Sequence, residues 1–72
     1  MKKRFLLPML LAFYLGTHNG QLALLQQNST QPVTIYPLTV AMLPPVDQSR
    51  LAAGIEIRDR LHLAQLLEDY MS

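Results

Sequence analysis

The densest run of apolar positions lies near the start of the chain. Phe5 to Leu15 is apolar throughout, apart from the break that Pro8 introduces, and it has no polar face. Asn19-Gly20 closes the stretch with a turn signal. Gly20 to Gln27 follows as a short apolar segment, continuous over Leu22 to Leu25. It reads as a first strand, because the Asn-Gly break separates it from any helix before it. Asn28 to Pro32 is polar and suits a hairpin connection.

Val33 to Met42 is the richest β segment, with Val, Thr, Ile and Tyr together. Val33 and Ile35 share one phase. Leu38, Val40 and Met42 share the other, and Pro37 lies between them. A proline inside a strand calls for an edge position or a bulge. A one-residue bulge at Pro37 would swap the phase and turn both sets toward the core.

The region from Leu43 to Tyr70 reads as helix, stop, short strand and capped helix. Pro44 and Pro45 suit the first turn of a helix, which needs no amide donors. That helix ends at Leu51 to Ala53, and Gly54 stands where a left-handed residue after the helix is expected. Ile55-Glu56-Ile57 alternates as a half-buried strand does. Asp59 is placed to cap a last helix with Leu61, Ala64, Leu67 and Tyr70 on one face.

These elements predict a small α+β domain in the order ββαβα. Three strands form one sheet, two helices cover one face of it, and an N-terminal hydrophobic helix precedes the domain. The domain spans residues 20–72, after a signal anchor or signal peptide at residues 1–19. The expected core is Leu22, Leu24, Val33, Ile35, Leu38, Val40, Leu43, Val46, Leu51, Ile55, Ile57, Leu63, Leu66 and Leu67.

Charge sharpens the reading of the N-terminus. Lys2, Lys3 and Arg4 directly precede the apolar run, the order seen in export signals. The eleven residues from Phe5 to Leu15 are few for a span that usually needs about twenty. No small-x-small cleavage site follows, since Tyr14-Leu15-Gly16 and His18-Asn19-Gly20 each put a large residue where a small one belongs. An uncleaved anchor in the cytoplasmic membrane is therefore favoured, with the domain extracytoplasmic. A cleaved, secreted form is the alternative. From Phe5 onward, three arginines face five acids, a formal −2. That is not the basic face of a nucleic-acid binder.

Candidate chemistry is sparse. The 72 residues contain no cysteine, which excludes disulfides and thiolate metal sites. His18 and His62 have no metal-ligand spacing, and no serine has an identifiable base. No catalytic, cofactor-binding, small-molecule or metal site is expected, and the protein is expected not to be an enzyme. Glu68 and Asp69 oppose the dipole at the end of the last helix. That marks Glu68, Asp69 and Tyr70 as candidate contact residues, with Pro44, Gly54 and Asp59 as structural ones.

The C-terminal half also resembles a known family. Leu43-Pro44, Asp47, Leu51, Gly54-Ile55, Asp59, Leu63, Leu66-Leu67-Glu68-Asp69-Tyr70 and Ser72 resemble the C-terminal domain of the BofC (bypass of forespore C) family. Gly20-Gln21-Leu22-Ala23-Leu24 resembles its first strand. Asn28 to Pro32 departs from the glycine-containing turn more usual there. The resemblance implies an exported, non-enzymatic regulator in sporulation that restrains a signalling serine protease by contact. A reading of another class is a small membrane peptide that regulates a larger integral complex through its apolar helix.

Overall fold

The computed structural model describes residues 13–72. Strand β1 (Phe13–His18) opens this part and is followed by β2 (Gln21–Gln26) and β3 (Thr34–Thr39). A 3-10 turn over Val40–Met42 leads to α1 (Pro45–Ala53), β4 (Ile55–Glu56) and α2 (Arg60–Met71). The four strands form one antiparallel sheet in the order β3-β2-β1-β4. The fold is α+β with two helices, and the sheet has four strands where three were expected. Of the hydrophobic segment expected to precede the domain as a helix, residues 1–12 lie outside the described ones, and Phe13 to His18 are strand and part of the sheet.

The additional strand begins within the apolar run. Phe13 to His18 pairs along its whole length with β2, from Phe13 opposite Gln26 to His18 opposite Gln21. Asn19 and Gly20 join the two strands, with φ of 52° and 83°. Positive φ at both central residues is the turn whose twist matches that of antiparallel strands, and Asn-Gly is its preferred sequence. Leu15, in this central strand, is fully buried.

Leu15 faces Leu24 on one side and Ile55 on the other, so these side chains share a face of the sheet. The core joins Leu15, Leu22, Val40, Leu51 and Ile57 there. Leu63, Leu66, Leu67 and Tyr70 of α2 pack against it. The helical face is therefore Leu63, Leu66, Leu67 and Tyr70. Leu61 and Ala64, expected on the inward side, are exposed. Spacing at i, i+3 and i+4 fits both sets, and contact with the sheet selects the one holding the larger side chains.

Strand β3 lies at the sheet edge, where Pro37 is tolerated. Its register is also irregular. The two steps from Gln21 to Ala23 face the four from Ile35 to Thr39. An excess of two residues keeps the pleat in phase, whereas the one-residue bulge expected from the sequence would have inverted it. Tyr36, Leu38 and Val40 accordingly turn inward, while Val33 and Ile35 stay exposed. Val46 is also exposed, on the solvent side of α1, and the strand expected to run to Met42 ends at Thr39.

Candidate contact surface

The local reasons for the last helix are visible atom by atom. The Asp59 carboxylate accepts a hydrogen bond from the His62 amide at 2.8 Å. The His62 ring returns the arrangement, its Nδ1 accepting from the Arg58 amide at 3.1 Å. Two amides at the helix start are thus satisfied by reciprocal side chains, as in a capping box. Asp59 is the cap expected. The part of His62 was not foreseen, although its spacing three residues after an aspartate was the available signal.

Pro44 and Pro45 act as expected at the start of α1. Pro44 precedes the first turn, and its carbonyl accepts from the Asp47 and Gln48 amides at 3.0 and 3.1 Å. Gln48 then donates from Nε2 to the Leu43 carbonyl at 2.8 Å and to the Ala41 carbonyl at 3.3 Å. This ties α1 to the 3-10 turn. At the other end, the Gly54 amide donates to the Arg50 and Leu51 carbonyls. Gly54 has the positive φ expected, at 91°, with ψ of 129°. The chain therefore passes straight into extended β4. A Cβ on Gly54 would lie 3.0 Å from Cδ2 of Tyr14.

The three candidate contact residues part company. Glu68 and Asp69 are exposed on the last turn of α2. Tyr70 turns inward and packs against the core. Its hydroxyl is enclosed and has no hydrogen-bond partner among the described residues. Burial pushes the phenol pKa up. Nearby Arg50 acts in the opposite direction, while Asp47 and Asp69 add to the rise. Tyr36 is raised by burial alone. Arg50 pairs with Asp47 at 3.6 Å, the single ion pair among the described residues.

A groove of about 370 Å³ opens at the far end of α2. Phe13, Leu24, Val33, Ile57 and Leu63 give it an apolar lining, and Arg58, Asp59 and Arg60 complete it. Neither arginine has an ion-pair partner among the described residues. A second cleft, of about 470 Å³, lies beside Tyr14, Gln27, Gly54 and Glu56. Among the described residues, no three His, Cys, Asp or Glu side chains gather where a metal ion would fit. No described helix is long and apolar enough to cross a membrane.

Helix α2 carries acids that its own dipole disfavours at its C-terminal end, while at its start the Asp59 carboxylate is favourable and offsets the arginines beside it. Its first turn has no acid and its last turn no base. Arg58 and Arg60 flank its start, while Glu68 and Asp69 sit exposed at its finish. Compared with protein-family models, characterised proteins and solved structures, the chain shows no match.

Proposed function

We propose that the protein is a non-enzymatic interaction domain held at the cytoplasmic membrane on its extracytoplasmic side. The observation that carries this reading is the charge arrangement of α2. Exposed Glu68 and Asp69 work against the helix dipole and form no ion pair among the described residues. Their carboxylates make no polar contact with the fold among the described residues, which leaves them free to meet a partner. The order of Lys2 to Arg4 ahead of an apolar run supports membrane attachment. The BofC resemblance points to a signalling serine protease as the partner and to a regulatory role in sporulation.

The test is a double charge reversal, Glu68→Lys with Asp69→Lys. Cations suit a helix C-terminus, so the melting temperature should hold or rise slightly. Binding to a membrane signalling protease, and restraint of its cleavage of substrate, should fall at least tenfold. Equal restraint by the variant would remove the acidic end from the contact. A wild-type domain with no effect on the protease would overturn the proposed partner. A reporter that works only in the cytoplasm, fused after Ser72, should be silent if the domain is exported.

A further inference from the structure

We infer that the groove end of the domain docks directly on an anionic lipid surface. The inference rests on the membrane-attachment reading and adds the part of the folded domain that takes part. Strand β1 draws Phe13 to Leu15 out of the apolar run and into the sheet. The apolar stretch ahead of the sheet is then Phe5 to Ala12, eight residues. A span usually needs about twenty apolar residues. A segment this short holds a surface weakly by itself, and firm attachment takes a second contribution.

The domain supplies one at the point where the chain enters it. Phe13 follows the apolar stretch directly in the chain and is part of the groove wall. Beside it Val33 is 49% exposed, and in the first turn of α2 Leu61 is 66% exposed. Arg58 and Arg60 line the same groove without an ion-pair partner among the described residues. Asp59 lines the groove between them and keeps its negative charge while accepting from the His62 amide, so the two arginines leave this wall with a formal +1. Apolar side chains with adjacent cations match a bilayer interface, where the former enter the headgroup boundary and the latter meet phosphates. The acids Glu68 and Asp69 lie at the opposite end of α2, which orients that end away from the lipid.

The experiment measures binding of the full chain to vesicles by flotation. One set holds equal parts of phosphatidylglycerol and phosphatidylcholine, the other phosphatidylcholine alone. Arg58→Gln with Arg60→Gln should weaken binding to the anionic vesicles about 30-fold, since each surface cation contributes about fivefold. Binding to the neutral vesicles should change little. Added salt should erase most of the difference between wild type and variant. Leu61→Ser should weaken binding to both sets, and Glu68→Gln with Asp69→Gln to neither. Melting temperatures of the variants show that the fold is kept. Wild-type binding that survives undiminished in the arginine variant would overturn the docking and leave the N-terminal attachment standing. No binding of wild type to either set would overturn the attachment reading and the docking with it. A response of the arginine variant in self-association, with lipid binding unchanged, would assign the groove to a second copy and also overturn the inference.

Discussion

Tyr70 shows how one atom separates packing from polarity. Its ring completes the apolar face of α2, yet its hydroxyl is enclosed without a partner among the described residues. Burying a hydroxyl unpaired costs about 1–3 kcal/mol, so Tyr70→Phe should leave the domain as stable or raise its stability within that range. The phenol pKa is raised in the folded state, mainly by burial. Stability from the protonated phenol is therefore complete below the unfolded value near 10. It is lost as pH rises above that, because the unfolded chain ionises first. Melting curves from neutral to strongly alkaline pH should show a smaller alkaline loss in Tyr70→Phe. Tyr36, raised by burial as well, supplies the remainder. An alkaline loss identical in wild type and variant would place the effect elsewhere. At Gly54, positive φ and the nearby Tyr14 ring act together. Gly54→Val should cost more than about 1 kcal/mol, since a β-branched residue resists that backbone and its Cβ meets the ring. In a domain this small that lowers the melting temperature by about 4–8 °C or more, and an unchanged value would rule out both constraints.

At the scale of elements, the hairpin of β1 and β2 decides the sheet. Its turn was legible as Asn19-Gly20, but only half of the hairpin was. The residues before the turn already had a reading as part of an export signal. Apolar periodicity alone does not distinguish a buried strand from a short hydrophobic helix, so the turn chemistry was the better guide. The central position of β1 makes Leu15 the side chain with most to lose. It is fully buried between Leu24 and Ile55. Leu15→Ala should cost about 2–5 kcal/mol, read as a drop in the denaturant midpoint. A change of only a few tenths would mean that β1 is not central to the core. The ends of α1 and α2 were more legible, because caps act over a few residues. Pro44, Gly54 and Asp59 needed only their neighbours to be placed.

For the whole molecule, the sheet and the N-terminal address draw on the same residues. Cleavage after Gly16 or Gly20 would cut or remove the central strand, and with it Leu15. A freely secreted form produced that way would not keep this fold. A chain beginning at Phe13 should melt cooperatively, whereas one beginning at Gln21 should show no cooperative transition by circular dichroism. A cooperative melt of the shorter chain would mean that β2, β3 and β4 close the sheet without β1. Function kept by the chain beginning at Phe13 would favour the domain reading over the membrane-peptide reading, which a cut at residue 19 does not separate. That cut removes the apolar run and the fold together.

What the sequence determined by itself was local. Two helices, their starts at Pro44 and Asp59, the stop at Gly54, the Asn28 to Pro32 connection and the edge position of Pro37 all follow from nearest-neighbour chemistry. The candidate acids at Glu68 and Asp69 were placed by the same means, as exposed charges on a helix end. The tertiary structure decided which side of each element faces inward. Val33 and Ile35 stay outside, while Leu38 and Val40 turn inward as expected and Tyr36 joins them, because a two-residue irregularity preserves the pleat where a single one inverts it. Leu61 and Ala64 stay outside, while Leu63 and Leu66, also expected in the core, pack inward with Leu67 and Tyr70, because the sheet accepts only one stripe of α2. Arg58 and Arg60 became neighbours of Phe13 and Leu24 only when β4 was laid beside β1, a pairing of residues far apart in the chain. Such contacts are set by closing the sheet, and no window of neighbouring residues carries them.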